Sequence, residues 1–383
     1  MWFLEADIAL RLLGGCVLWA AASVLARKYW SQPRLESFLP ILDLALIAYV
    51  SEWLAVFYAV YTVVTFGIAH LAGRGKGAWR QVVFVLCCLM CAVPFFYIRF
   101  RELFPELPLL FALTGIAYNM LKAVDAVYYV YYSGEKLNFL HYANYMLFFP
   151  VITAGPILRY RDFSHSLARP QPVNGESLTR DFKRLICGYF KKVVVMALVN
   201  VVLARLAALS PRPWWSIAAC LVSYLLLWLD MSGYADIAIA MGGFLGLKVP
   251  ENFKKPLKAV SFTQFWRNWH VSLTDWIREH IFVVLNGRKL NKYQGALIGF
   301  GTMMVMGLWH GFSLTFVLDG LMNGSLLAIE NLCGITTVKR GANRYYVLFR
   351  RCVVALVFSF TTIFYTLDST QLQNVLRGFV RCV

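Results

Sequence analysis

The sequence predicts an all-α polytopic membrane protein, and its composition and the spacing of its apolar runs carry this prediction. Of its 383 residues, 60% are hydrophobic, 16% are aromatic and only 15% are charged. Apolar runs of about 20 residues, the length that crosses a bilayer, recur along the chain. Several runs are long enough for two segments, so we expect about 9–11 transmembrane helices plus re-entrant or interfacial helices. The runs lie near 8–26, 38–72, 81–98, 107–132, 139–158, 185–209, 214–247, 294–330 and 346–367.

The charge pattern indicates how the chain is oriented in the membrane. The formal net charge is +17, and the basic residues cluster between apolar runs, as at Arg74, Lys76 and Arg80. Such clusters favour cytoplasmic loops beside anionic lipid over nucleic-acid binding, although they would also suit an acidic cytoplasmic partner. Glu5 and Asp7 before the first run predict a retained first span with its N-terminus outside. Arg377 and Arg381 predict a cytoplasmic C-terminus.

We expect one integral membrane domain over residues 1–383, because no internal repeat or long soluble insertion interrupts the pattern. The longest polar stretch, 159–184, contains two prolines and five arginines and is predicted to be an interfacial or cytoplasmic connection. The chemically unusual residues fall mainly within about 139–330.

The cysteines do not predict a metal site or a disulfide framework. There are nine, an odd number without regular spacing. Cys88 and Cys91 form a C-x-x-C pattern beside Cys87, but no His, Asp or Glu lies near them in sequence. We interpret these three as small packing residues of an apolar helix.

His310 is the strongest candidate for chemistry. It interrupts "TMMVMGLWHGFSLTFVL", which otherwise resembles the middle of a transmembrane helix, and an ionisable group there normally faces a bundle interior or a wet cavity. Gly307 and Gly311 frame it with the spacing that lets a second helix approach. A neutral imidazole can act as a general base on a hydroxyl. A structural histidine that bonds two helices remains the alternative.

A second histidine, His270, lies in "SFTQFWRNWHVSLTDWIREHIFVVL", a segment too polar to cross lipid unaided. Taken as one helix, the segment has an aromatic face and a charged face, with His270 at their border. It is therefore predicted to be an interfacial helix or one that dips into a membrane funnel. Periodicity alone favours an interfacial role for this histidine.

Two carboxylates, Asp230 and Asp236, fall inside another apolar run. Six residues apart on a regular helix, they point about 240° away from each other, so we do not expect an acid/base pair unless Gly233 breaks the helix. The simpler interpretation is that Arg or Lys from another helix neutralises each of them. Lys191 and Lys192 are expected to snorkel from a helix end, or to line the entrance for an acidic donor.

Several motifs together resemble the bacterial branch of the membrane-bound O-acyltransferase family. They keep the family's order: "FFPVITAGPILRYRDF" (148–163), "GYFKKVVV" (188–195), "DMSGYADIAIAMGGFLGLKVPENFKKP" (230–256), "FWRNWHVSLTDWIREHIF" (265–282) and "MGLWHG" (306–311). The resemblance implies helices arranged around a thin central region, where a cytoplasmic acyl donor meets an external hydroxyl. It also implies that His310 is the catalytic base and that His270 positions or polarises the thioester.

The resemblance extends to the donor and the partners. The residues expected to line the substrate tunnel or bind the donor are Asn268, Trp269, Ser272, Trp309, Asp230, Asp236, Lys191 and Lys192. No resident cofactor or metal is implied. The donor is expected to be D-alanyl phosphopantetheine thioester on a small acidic carrier protein, and the acceptor a teichoic acid-like polymer or a partner acyltransferase. The alternative is acetyl transfer from acetyl-CoA to an exopolysaccharide, and the expected location is the bacterial plasma membrane.

A transporter is the rival from another class, with His310 and the Asp230 region as a proton or substrate path. Transporters of this kind commonly show internal symmetry between two halves, and the sequence has none. Signatures of other enzyme classes are also missing, since neither a G-x-S-x-G elbow nor an H-E-x-x-H helix occurs. Acyl transfer is therefore the preferred hypothesis.

Overall fold

The computed structural model describes residues 14, 15, 18, 19, 21, 22, 24, 25, 28–30, 32–108, 114–209, 211–282, 291–338 and 341–380. Within these ranges the regular structure is helical, and the one strand-like feature is an isolated antiparallel bridge between Phe253 and Trp269. The first helices are α1 Gln32–Val50, α2 Glu52–Leu71, α3 Gly77–Leu103, α4 Ile116–Ser133, α5 Phe139–Leu147, α6 Tyr160–Ala168, α7 Gly175–Tyr189 and α8 Met196–Ala208. They are followed by α9 Pro213–Phe244, α10 Phe262–Trp266, α11 Val271–Ile277, α12 Lys292–His310, α13 Leu314–Cys333, α14 Arg344–Thr366 and α15 Ser369–Val380.

Five helical stretches of the described chain are long and apolar enough to cross a membrane. They are α2, α3, the continuous helix 175–208 that joins α7 to α8 through a π-helical turn at Phe190–Val195, α9 and α14. The prediction of an all-α polytopic membrane protein is confirmed. The count of about 9–11 spans, which includes further apolar runs, stays a prediction.

Side-chain caps explain where several helices begin. Ser51 accepts a hydrogen bond from the amide of Leu54 at the start of α2, and Asn138 accepts one from His141 at the start of α5. At α12, Asn291 and Gln294 form a reciprocal capping box with bonds of 2.8 and 3.0 Å. Each cap satisfies an amide that the first helical turn leaves unpaired.

The chain divides into two compact units. The first contains the described residues of 1–185 and 236–250. It contains a cluster of buried polar side chains. The Asp125 carboxylate accepts the Tyr160 amide at 2.7 Å and lies 3.4 Å from the Arg159 guanidinium, while Lys122 donates to the Met146 carbonyl at 2.9 Å. The Asp125 bonds fasten the "RYRDF" motif to α4, and the Lys122 bond joins α4 to α5, since buried polar groups require partners.

The second unit contains the described residues of 186–235 and 251–383. One of its cores is formed where α8, α9, α14 and α15 bring together Leu203, Ala207, Ala219, Cys220, Leu226, Ile363 and Val375. Its other main feature is the antiparallel hairpin of α12 and α13, which pack through glycines. A Cβ atom on Gly320 would lie 2.9 Å from the Met303 carbonyl oxygen, and one on Gly324 would lie 3.0 Å from that of Phe300. The two backbones are thus in direct contact.

The prediction of a single amphipathic helix over the segment that contains His270 is wrong. The segment folds as two short helices, α10 and α11, separated by a turn at 267–270. The turn is held from outside, because the Lys254 amide donates to the Asn268 carbonyl at 2.9 Å and Trp269 bridges to Phe253. Tertiary hydrogen bonds of this kind override helical periodicity.

Candidate active site

His270 begins α11 in an unusual backbone conformation. Its φ of 46° and ψ of 48° lie in the left-handed region, which non-glycine residues seldom adopt. Its carbonyl accepts the amides of Leu273 and Thr274, so the first turn of α11 is built on this residue. The imidazole is only 2% exposed. A strained backbone at a buried ionisable residue is typical of functional sites.

Asn252 fixes the backbone that follows His270. The Asn252 carbonyl accepts the Val271 amide at 3.0 Å, and its side-chain oxygen accepts both the amide and the hydroxyl of Ser272, at 3.2 and 2.6 Å. Ser272 was predicted to line the tunnel, and its described bonds hold this turn. The predicted tunnel residue Asn268 likewise contributes its carbonyl to the bond with Lys254.

Trp269, another predicted tunnel residue, lies in a buried aromatic cluster. Its ring stacks on Phe265 with centroids 5.5 Å apart and packs against Phe358 at 5.0 Å and Tyr224 at 5.6 Å. These residues come from α9, α10 and α14, so the cluster ties the turn before His270 to three helices. Aromatic pairs of this geometry add about 0.5–1.5 kcal/mol each beyond their burial.

His310 is the last residue of α12, and its side chain is half-buried. The sequence alone suggested a mid-span position, but the helix ends here, since Gly311 adopts an extended conformation with φ of 173°. Gly307 does allow the predicted close approach: a Cβ atom there would lie 2.5 Å from the Phe316 carbonyl oxygen. The imidazole is therefore at a helix end, beside the turn into α13.

Trp309 connects the two histidines. Its ring centroid lies 4.8 Å from that of His310 and 6.5 Å from that of His270, with steep interplanar angles of 70° and 89°. Trp309 is itself buried. Residues that are forty positions apart in sequence thus contact one indole within the second unit.

Two further rings contact the His310 imidazole. Phe316 lies 5.9 Å away with an interplanar angle of 26°, and Tyr365 lies 5.2 Å away at 79°. The Tyr365 hydroxyl donates to the Asp319 carboxylate at 2.5 Å. Sequence reasoning missed both residues, although Asp319 was visible as the next ionisable residue after His310 in the same apolar run.

The predicted donor residues of α9 and the π-helical turn form ion pairs. Lys192 pairs with Asp230, and both side chains are largely buried. Arg184 pairs with Asp236 at 2.9 Å. The interpretation that each carboxylate is neutralised by a cation from another helix is confirmed. The Lys191 ammonium lies 5.3 Å from the centre of the Trp228 ring.

The charge state of His270 follows from its burial. The residue lies outside the five candidate spans, and burial lowers its pKa to about 4. The imidazole is therefore neutral at physiological pH and keeps one N–H donor and one acceptor nitrogen. It can donate a hydrogen bond to a carbonyl oxygen without bringing a charge into the site.

Among the described residues, no group of three or more His, Cys, Asp or Glu side chains is placed to hold a metal ion. Cys87 and Cys91, the ends of the cysteine cluster in α3, are buried and free, in accord with their interpretation as packing residues. The chemistry that the described site offers is that of two imidazoles, an indole and the Tyr365–Asp319 pair.

Comparison with known proteins adds the family. The model of the membrane-bound O-acyltransferase (MBOAT) family matches residues 46–366. The chain belongs to this family. The matched residues include both histidines, the aromatic cluster and the α12–α13 hairpin.

The curated relatives that this chain matches in sequence are described with three different activities. A probable alginate O-acetylase from Pseudomonas fluorescens is 32% identical over 60% of this chain and 47% of its own length. A peptidoglycan O-acetyltransferase from Helicobacter pylori is 30% identical over 53% and 39%. A teichoic acid D-alanyltransferase from Streptococcus thermophilus is 27% identical over 72% and 70%. The chain thus spans about half the length of the alginate O-acetylases that it matches.

Proposed function

We propose that this MBOAT protein transfers an acyl group from a thioester to a hydroxyl, with His310 as general base and His270 as the residue that positions or polarises the thioester. The single observation that carries the proposal is the contact of both imidazoles with Trp309. Family membership supports the reaction class.

The proposed chemistry uses each imidazole differently. His310 takes the proton of the acceptor hydroxyl, and the oxygen of that hydroxyl attacks the thioester carbonyl carbon. The carbon–sulfur bond then breaks, and the sulfur leaves as a thiolate that takes the proton from the His310 imidazolium, which returns the base to its neutral form. The neutral His270 ring donates a hydrogen bond to the carbonyl oxygen, where negative charge develops. A general base of this kind typically supplies about 10²- to 10⁴-fold in rate.

For the acyl group we propose D-alanyl, carried on the phosphopantetheine of an acidic carrier protein at the cytoplasmic side of a bacterial plasma membrane. The N-terminus would then be outside and the C-terminus inside. Two observations support this choice: the match to the D-alanyltransferase covers 72% of this chain and 70% of that relative, and the excess of 17 positive charges suits an acidic carrier. The acceptor would be a teichoic acid-like polymer or an intermediate acyltransferase.

Acetyl transfer to an exopolysaccharide is the second candidate. The observation that favours it is the higher identity to the alginate O-acetylases, 32% against 27%. In this case the cytoplasmic donor is acetyl-CoA. The two candidates share the same site and differ only in the donor and the acceptor polymer.

The test is transfer by the purified chain in vesicles that enclose a hydroxyl acceptor, with labelled D-alanyl carrier protein or labelled acetyl-CoA outside. We expect His310→Ala to lower the rate of acyl transfer at least 100-fold. His165→Ala, at an exposed histidine, should leave the rate unchanged. Near wild-type transfer by a folded His310→Ala variant would overturn the proposal. Solute flux without any donor, lost in the same variant, would indicate the transporter instead.

A further inference from the structure

Asp319 is a buried carboxylate beside the candidate site. It is 4% exposed and lies in α13, nine residues after His310 in the sequence. Two neutral donors bond to it: the Tyr365 hydroxyl at 2.5 Å and the Asn323 amide at 2.9 Å. Each of these donors supports a charged carboxylate in surroundings that would otherwise disfavour it.

Tyr365 links this carboxylate to His310. Its hydroxyl is held by Asp319, while its ring lies 5.2 Å from the imidazole at 79° and 5.3 Å from the Phe316 ring. Phe316 in turn contacts the imidazole at 5.9 Å. The rings of His310, Phe316 and Tyr365 thus contact one another pairwise, and the bond to Asp319 anchors the Tyr365 ring.

We propose that Tyr365 and Asp319 are positioning residues for His310: Asp319 fixes the Tyr365 ring against the imidazole, and its negative charge favours the imidazolium that forms when His310 takes the acceptor proton. The inference rests on the proposed acyl transfer and deepens it. Neither residue contacts the reacting atoms in this scheme. Both act through the orientation and charge of His310.

The physical reason is that general-base catalysis creates a cation in the transition state. Before the step His310 is neutral; after it the imidazole carries the hydroxyl proton and a positive charge. An aromatic ring close to a cation attracts it, and a carboxylate bonded to that ring's hydroxyl adds a longer-range attraction that low dielectric strengthens. An orientation held in advance also avoids reorganisation during the step.

Three titratable groups belong to the ring and hydrogen-bond contacts described around His310. They are Tyr365 from α14, Asp319 from α13 through its bond to the Tyr365 hydroxyl, and His270 beyond Trp309. Glu330 and Arg350, on the same two helices, lie 3.8 Å apart and form their own pair. Asp319 is thus the carboxylate expected to act on His310.

The test compares Tyr365→Phe and Asp319→Asn with matched controls in the full-length protein. Phe keeps the ring and removes the anchor, whereas Asn keeps the size and an acceptor oxygen but removes the charge. The controls are Tyr345→Phe, at an exposed tyrosine of α14, and Asp162→Asn, at an exposed carboxylate. Thermal unfolding of every variant checks that it is folded.

We expect kcat to fall about tenfold in each test variant with KM for the donor nearly unchanged, the signature of an interaction made only in the transition state. In Asp319→Asn the acid limb of the kcat profile should also move down by about 0.5–1 pH unit, because the imidazolium loses its counter-charge. The controls should keep wild-type values.

The outcomes separate this inference from the proposed function. If His310→Ala abolishes transfer but folded Asp319→Asn and Tyr365→Phe keep wild-type kcat and pH profile, the positioning role is excluded while the acyl transfer stands. A change confined to KM would also exclude it. If Tyr365→Phe does not fold, Asp319→Asn alone decides, because the asparagine can still accept the tyrosine hydroxyl. If His310→Ala itself remains active, the proposed function fails first.

Discussion

The carbonyl oxygen of Phe316 lies 2.5 Å from the position that a Cβ atom on Gly307 would occupy. Gly307→Ala therefore forces the backbones of α12 and α13 apart. Overpacking of this kind costs about 1–3 kcal/mol. Because His310 is three residues further along α12, we expect the substitution to lower both thermal stability and acyl transfer.

The control for this prediction is Gly67→Ala in α2. A Cβ atom there would have nothing within 4 Å, so the better helix propensity of alanine should leave stability unchanged or raise it by up to about 1 kcal/mol. Unfolding in detergent, followed by intrinsic tryptophan fluorescence, measures both. Equal midpoints for the two variants would show that the hairpin tolerates separation at Gly307.

Glu330 stabilises the turn that leads to His270. Its carboxylate, 5% exposed, accepts the amides of Phe262 and Thr263 at 2.8 Å each, at the first turn of α10. Glu330→Ala leaves one buried and one partly buried amide without this acceptor, and we expect a loss of about 2–6 kcal/mol, since each such bond is worth about 1–3 kcal/mol.

Glu330→Gln is the informative comparison, because glutamine keeps one acceptor oxygen and loses the charge that faces Arg350. Its midpoint should fall between those of the wild type and Glu330→Ala. Hydrogen exchange at the Phe262 and Thr263 amides should be slowest in the wild type, faster in Glu330→Gln and fastest in Glu330→Ala. Unchanged exchange in Glu330→Ala would mean that the capping contact contributes nothing to this turn.

His270 predicts how stability depends on pH. Burial lowers its pKa to about 4 from an ordinary value of 6.5, so the folded state disfavours the protonated ring. The neutral ring therefore contributes to the free energy of unfolding above pH 6.5. This contribution, a total of about 3 kcal/mol, is lost as the pH falls from 6.5 to 4. Unfolding midpoints between pH 4 and 8 measure this slope.

His270→Asn is the control for this pH dependence, because asparagine cannot titrate and tolerates the left-handed backbone at φ 46°. The variant should be less stable at pH 8 but show a shallower decline toward pH 4. Identical slopes for the wild type and the variant would place the acid sensitivity on other residues.

The Lys192–Asp230 pair provides a fourth prediction. Its side chains are only 16% and 17% exposed, so Lys192→Met should leave an uncompensated carboxylate and destabilise the protein by about 3 kcal/mol. Adding Asp230→Asn should restore most of this loss. The exposed pair Arg161–Asp162, at 71% and 68%, should show nearly no coupling in the same double-mutant cycle.

The same cycle tests whether Lys192 contacts the donor. If the pair is purely structural, the double variant recovers the donor KM together with stability. If Lys192 also binds an acidic donor, stability returns but KM stays high. Measuring both quantities on the same preparations separates these roles.

Much of the fold class followed from the sequence, because lipid requires backbone groups to be satisfied within helices and the apolar runs record that requirement. The ion pairs of Asp230 and Asp236 were also foreseeable, since buried carboxylates need cations. The break between α10 and α11 was not. It depends on hydrogen bonds to Asn252 and Lys254. Helical periodicity does not indicate that these two residues lie beside the turn.

For the site, the sequence identified the two histidines but not the residues around them. His310 was conspicuous because it is ionisable within an apolar run, and His270 entered through family resemblance. Tyr365 lies more than fifty residues after His310, near the end of α14, and an aromatic residue in a span has no distinguishing signal. Only the packing of α14 against α13 shows that its hydroxyl reaches Asp319.

The glycine contacts between α12 and α13 have a consequence for how freely this region can diverge. Since backbone touches backbone at Gly307, Gly320 and Gly324, the register of the hairpin does not depend on the outward-facing side chains. Exposed leucines such as Leu297 and Leu321 can therefore be replaced by other apolar residues without moving His310. Insertion of a single residue into α12 would instead rotate the imidazole by about 100° away from its neighbours.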